Sequence, residues 1–164
     1  MIDIRPIDEK DWDDVWRIME PVFRTGETYS FSPDISKEEA FRVWVSVPAA
    51  TYVAVDEGNN ILGTYYIKPN QPGLGAHVCN CGYIVVERAR GQGIASEMCK
   101  HSQLEASAQG YRAMQYNLVV STNEGAIRLW KSLGFEIIGT LPGAFQHPKL
   151  CFVDAHVMFK TLNP

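Results

Sequence analysis

Two glycines between an aliphatic run and a helix-like stretch are the first candidates for chemistry. In Tyr83-Ile84-Val85-Val86-Glu87-Arg88-Ala89-Arg90-Gly91-Gln92-Gly93-Ile94-Ala95 a strand-like run enters a short loop, and the loop opens directly into a helix. The first N–H groups of a helix have no internal partners and lie at the positive end of its dipole. Glycines let that backbone come close to a phosphate, so the loop can cradle a pyrophosphate. Arg88, Arg90 and Lys100 add positive charge nearby. The same glycines would serve an ordinary strand-to-helix turn equally well, and spacing alone leaves both readings open. The three-glycine dinucleotide fingerprint is incomplete here, and the Gly-Lys-Ser/Thr ending of a P-loop is missing.

Other residues have reactive types in weaker patterns. His77, Cys79 and Cys81 fall on one face of an extended strand and have the ligand types of a soft-metal site. They lack a fourth ligand at a sensible spacing, so buried sheet cysteines and no metal are expected. Asn123 stands where a helix cap is needed. Glu27 reads as a solvated loop carboxylate and His101 as a surface residue of a helix. No side chain is marked out as a general base.

The elements that position these residues follow from periodicity. Ile2, Ile4 and Pro6 open a short strand; Trp12, Val15, Trp16 and Met19 recur at helical spacing, and Pro21 should kink or end that helix. Ser36 and Glu39 have capping-box spacing at the start of a second helix. Strands are expected at 52–56, 61–67, 77–86, 114–120, 135–140 and 150–160, with helices over 94–109 and after Asn123. The order β-αα-ββ-β-α-β-α-ββ predicts an α+β sandwich around a mixed sheet. No composition shift divides the chain, so one domain over 1–164 is expected.

Composition bounds the function. The 164 residues are 46% hydrophobic and 21% charged, ordinary for a globular domain. A net charge of −4 argues against nucleic-acid binding, which needs clustered Lys and Arg. Asp3, Arg5, Asp8 and Glu9 interrupt any apolar leader, no run approaches a membrane span, and the four cysteines form no paired framework. The chain reads as cytoplasmic, with no membrane or nucleic-acid partner.

Two motifs carry a family resemblance. Arg90-Gly91-Gln92-Gly93-Ile94-Ala95 is similar to the acetyl-CoA loop of the GNAT N-acetyltransferases, Gln/Arg-x-x-Gly-x-Gly/Ala. Asn123-Glu124-Gly125-Ala126-Ile127-Arg128-Leu129-Trp130-Lys131-Ser132-Leu133-Gly134-Phe135 resembles their Asn-x-x-Ala-x-x-Leu-Tyr-x-x-x-Gly-Phe motif. The resemblance implies a mostly antiparallel sheet with helices on both faces, splayed between the strands near 79–86 and 114–120. Acetyl-CoA would lie in the splay as the acetyl-donor substrate. Its pantetheine would pair with backbone at Ile84, Val85 and Val86, and its pyrophosphate with N–H groups from Gly91 to Ala95 and Ser96, beside Arg90 and Gln92. Transfer to the amine would be direct, without an acyl-enzyme. Trp130 stands where many relatives carry a tyrosine that protonates the departing thiolate; indole cannot do so, and Trp130 is expected to wall the cofactor groove.

A narrower resemblance covers Tyr66-Ile67-Lys68-Pro69-Asn70, His77-x-Cys79-Asn80-x-Gly82-Tyr83 and Asn117-Leu118-Val119-x-x-x-Asn123. These look like the fungal acetyltransferases of azetidine-2-carboxylate and related proline analogues. The likeness implies an acceptor pocket lined by Asn80, Tyr83, Asn117 and Leu118, with Asn123, and Asn80 beside it, as the catalytic polar groups; Asn123 would face the developing oxyanion. The expected acceptor is a small amine of amino- or imino-acid type. A polyamine, a peptide N-terminus and a non-catalytic acetyl-CoA-binding module stay open, and a homodimer is compatible with all of them.

Overall fold

The computed structural model describes residues 1–162, so the last two positions of the expected domain lie outside the described residues. Its strands are β1 (Asp3–Pro6), β2 (Ala50–Val55), β3 (Ile61–Pro69), β4 (Val78–Val85), β5 (Ala113–Val120), β6 (Glu136–His147) and β7 (Cys151–Thr161). They form one sheet in the order β1-β2-β3-β4-β5-β7-β6. Every neighbouring pair is antiparallel except β4 and β5, which run parallel. The principal helices are α1 (Trp12–Thr25), α2 (Lys37–Phe41), α3 (Ile94–Ala108) and α4 (Glu124–Ser132).

Each sheet face has its own core. On one, Val15, Met19 and Phe23 of α1 meet Trp44, Tyr66 and Ile84. The i, i+4, i+8 spacing of the three α1 residues makes that stripe. On the other, Met98 and Cys99 of α3 and Trp130 of α4 pack on Tyr65, Met114 and Met158. Helices thus cover both faces of a mixed, mostly antiparallel sheet, as expected. Among the described residues, no helix is long and apolar enough to cross a membrane.

Three local expectations need correction. Pro21 does not end α1, which continues to Thr25 and stops at Gly26 with φ of 65°. Pro21 and Arg17 are both exposed, so the carbonyl at Arg17 that loses its N–H partner can turn to water. The capping box at Ser36 is half made. Ser36 Oγ accepts from the Glu39 N–H at 3.1 Å, but the Glu39 carboxylate is held by Arg42 at 2.7 and 2.8 Å. His101 is not simply a surface residue: its Nδ1 lies 2.7 Å from the Tyr65 hydroxyl, and its ring packs against Tyr52.

Candidate active site

The sheet comes apart between β4 and β5. Only Val78 with Ala113 and Cys79 with Met114 are paired; beyond them the strands diverge. At the next register position the Asn80 side chain takes over, its Nδ2 donating to the Gln115 carbonyl at 2.9 Å. Its Oδ1 accepts from the Tyr66 hydroxyl at 3.0 Å. Asn80 is therefore a buried clamp at the root of the split.

The split opens into a cleft of about 810 Å³ that reaches both sheet faces. At one end lies the glycine loop. Gly91 and Gly93 have φ of 75° and 81°, and a Cβ built on either would meet no atom within 4 Å. The space above them is open, so packing does not exclude a side chain; it is the positive φ that favours glycine. Among the described residues, no chain acceptor takes the N–H groups of Gly91 to Ser96; the first intrahelical bond runs from Glu97 to Gly93 at 3.0 Å. The Arg90 guanidinium, exposed at the cleft edge, has no carboxylate partner among the described residues. Donors without acceptors around an open, positively biased hollow fit a pyrophosphate. Gln92 turns away, its Nε2 donating to the Arg88 carbonyl at 3.1 Å.

The three aliphatic residues of the β4 edge are not equivalent. Val86 N–H donates to the Leu62 carbonyl at 2.8 Å, and Ile84 pairs with Thr64 of β3. Antiparallel pairing alternates the backbone direction, so of Ile84, Val85 and Val86 only Val85 presents its peptide groups to the gap. Trp130 walls the cleft on the α4 side, with its ring centroid 5.0 Å from Tyr83 and 5.2 Å from Tyr116. Asn123 caps α4, its Oδ1 accepting from the Ala126 N–H at 3.4 Å. Its Nδ2 makes no hydrogen bond within the described residues, and Asn123 is one of the residues that line the cleft.

The other end is lined by the α1–α2 loop and the far ends of β3 and β5. Tyr29 donates its hydroxyl to the Tyr83 carbonyl at 2.6 Å, and Phe31 stacks on Tyr29 with centroids 6.1 Å apart. Tyr66 lies over Gly82, where a Cβ would come within 2.7 Å of its ring. Asn117 stands at the rim, donating to Asn70 Oδ1 at 2.7 Å and accepting from Gln115 Nε2 at 3.0 Å. It and Leu118 sit where the β5–β7 register shifts, which frees their backbone from the ladder. Burial pushes the Tyr29 and Tyr66 hydroxyls well above the ordinary phenol range, so neither takes or gives a proton readily near neutrality.

Asn80 and Tyr83 belong to different parts of this cleft. Three residues apart on one strand, they point to opposite faces. Asn80 reaches Tyr66, whereas the Tyr83 hydroxyl is 2.7 Å from Ser102 Oγ of α3 and 2.9 Å from the Tyr116 hydroxyl. Cys79 and Cys81 share the Tyr83 face and are buried. Burial raises the Cys81 thiol well above its usual value, and Cys79 beside it adds to the effect, so a thiolate is disfavoured there. Among the described residues, no group of three or more His, Cys, Asp or Glu is arranged to hold a metal ion. Glu27 is half-exposed, its carboxylate 3.8 Å from Lys149 Nζ.

Among the cleft residues that sequence reasoning did not single out are Lys68, Thr28 and Tyr29. Lys68 carried a signal: it is a cation at the end of an apolar strand, two residues from Tyr66. Thr28 and Tyr29 carried none beyond a polar and aromatic loop.

Comparison with known proteins gives a concordant result. Residues 12–135 match the model of the family described as acetyltransferase (GNAT). N-acetyltransferase aca1 of Schizosaccharomyces pombe is 31% identical over 134 residues, spanning 73% of this chain. The chain covers 64% of that relative's length. A GCN5-related N-acetyltransferase from Kribbella flavida has a TM-score of 0.93 and 38% identity over 98% of each chain. A phosphinothricin acetyltransferase from Sinorhizobium meliloti, solved in complex with acetyl-CoA, covers 99% of this chain with a TM-score of 0.87 and 19% identity. The chain covers 89% of it, and that likeness is one of fold.

Proposed function

Because the chain belongs to the acetyltransferase (GNAT) family, we propose that it transfers the acetyl group of acetyl-CoA directly to the amine of a small acceptor bearing a carboxylate. The acceptor is of amino- or imino-acid kind, with a proline analogue as the sharpest choice. The amine nitrogen attacks the thioester carbonyl carbon, the new C–N bond replaces the C–S bond, CoA leaves as its thiolate, and the proton released from the nitrogen passes to water. Gly91 to Ser96 and Arg90 hold the donor's pyrophosphate. Val85 pairs with its pantetheine, and Asn123 Nδ2 donates to the carbonyl oxygen as charge develops there. Trp130 can give the thiolate a hydrogen bond but not a proton.

The observation that carries the acceptor class is the charge of the cleft. No Asp, Glu or His lines it; its charged side chains are Lys68 and Arg90. A polyamine would need carboxylates, whereas an acid wants neutral or positive donors. The same lining holds no obvious general base. The ammonium of the acceptor therefore loses its proton to water before attack. Cleavage rates should therefore follow the acceptor's own amine pKa rather than that of a protein group.

Free thiol release from acetyl-CoA, measured against imino acids, amino acids, polyamines and peptides, tests the proposal. Release with the acids and not with spermidine is the expected result. Preference for a polyamine or peptide would overturn the acceptor class, and no release with any amine would favour an acetyl-CoA-binding module. Cys79→Ala and Cys81→Ala should keep most of the turnover, since neither thiol takes part. A trapped acetyl-cysteine competent to acetylate the amine, seen by mass spectrometry, would refute direct transfer. The cysteines are unpaired, which fits a reducing compartment, and the cytoplasm is the proposed location.

A further inference from the structure

We propose that the Lys68 ammonium anchors the acceptor's carboxylate and so selects acids over neutral amines. The inference rests on the acceptor class above and deepens it. Lys68 pairs in register with Asn80 across β3 and β4, and Tyr66 with Gly82. Directly opposite side chains on such a pair stand about 4.5–5.5 Å apart at Cβ on one face. Lys68 Nζ lies 5.2 Å from the centroid of the Tyr66 ring, whose hydroxyl is bonded to Asn80. The ammonium is thus held over an aromatic face beside the clamp of the split, not free in solvent.

Its place without a counter-ion is what matters. Lys10, Lys37, Lys100 and Lys149 each have a carboxylate within 4 Å. Lys68, Lys131 and Lys160 have none among the described residues, and of these three only Lys68 lines the cleft. Glu27, the acid nearest the α1–α2 loop's cleft residues, is at Lys149 instead. Partial burial without a partner lowers the Lys68 pKa, so its charge gains most from an anion that arrives with the substrate. A second unmet group borders the same cleft. Thr28 Oγ1 is the only buried side-chain oxygen or nitrogen among the described residues without a hydrogen-bond partner. Thr28 adjoins Tyr29, which packs on Trp44, which packs on Tyr66.

The test compares azetidine-2-carboxylate and L-proline, each beside its primary amide, with the wild type, Lys68→Met and Lys68→Arg. Methionine keeps the stem against Tyr66 and removes the charge. For the acids, Lys68→Met should raise KM about 10- to 100-fold, the worth of a charge-assisted hydrogen bond in a half-buried site. KM for the amides and for acetyl-CoA should stay unchanged, so the preference for acid over amide disappears. Lys68→Arg should retain part of it. Equal losses for acid and amide would show that Lys68 only packs on Tyr66, and no loss for either would show that it has no part; both overturn the inference. A wild type that ignores both acids but acetylates a polyamine or peptide overturns the acceptor class and this inference together. A wild type that uses the acids while Lys68→Met does so equally well overturns the inference alone.

Discussion

In a Gly91→Val/Gly93→Val variant, the affinity for acetyl-CoA should fall by at least about 10²-fold in calorimetry. Each charge-assisted hydrogen bond to the pyrophosphate is worth about 1.5–3 kcal/mol, and the variant disturbs several. Two effects act together. Valine is a poor fit to φ of 75° and 81°, and its methyl groups would project into the open space over the loop N–H groups. Gly110→Val separates them. Gly110 ends α3 at φ of 90°, also with open space around its Cβ, but it does not border the cleft. It carries a comparable backbone penalty of about 1–2 kcal/mol and should leave acetyl-CoA binding intact. Unchanged affinity in the double variant would remove the basis for placing the cofactor at this loop.

Asn123→Asp should fold normally yet lose roughly 10²–10³ in kcat, the scale of one oxyanion donor. An aspartate still caps α4 through the oxygen that receives the Ala126 N–H. It replaces the free Nδ2 donor with a negative charge beside an oxygen that is itself becoming negative. Circular dichroism and thermal melting verify the fold, with a stability change below about 1 kcal/mol because the cap survives. Asn123→Ser keeps the cap and removes the donor without adding charge, so it should lose less. Full kcat in Asn123→Asp would make the residue a cap and nothing more. Asn80 provides a contrast: its amide is already bonded to Gln115 and Tyr66, so its replacement should also loosen the root of the split.

Local chemistry was legible in the residues themselves. Gly91 and Gly93 before Ile94 mark a helix N-terminus, because positive φ and orphan N–H groups are properties of a few consecutive residues, although spacing alone left an ordinary turn equally open. Asn123 before Glu124 announces a cap for the same reason, and Ser36 does so for α2. The alternation along 77–86 even implied that Asn80 and Tyr83 face opposite ways, since strand side chains alternate. Pro21 does not end α1 because a proline's effect depends on whether the freed carbonyl can reach water, and that depends on which helix face is buried.

What only the tertiary structure decided is which distant residues share the cleft and how their polar groups are spent. Asn80 bonds to residues 14 and 35 positions away, and Tyr29 to a carbonyl 54 positions away; no periodicity encodes such pairings. Lys68 has an ordinary sequence context, and its isolation from every carboxylate emerges only when the sheet, the α1–α2 loop and Tyr66 come together. Motif spacing thus pointed to the family and to the glycine loop, whose character rests on contiguous backbone. The proposed acceptor end is assembled from side chains of separate elements across a split sheet, and its charge became visible only once they were folded together.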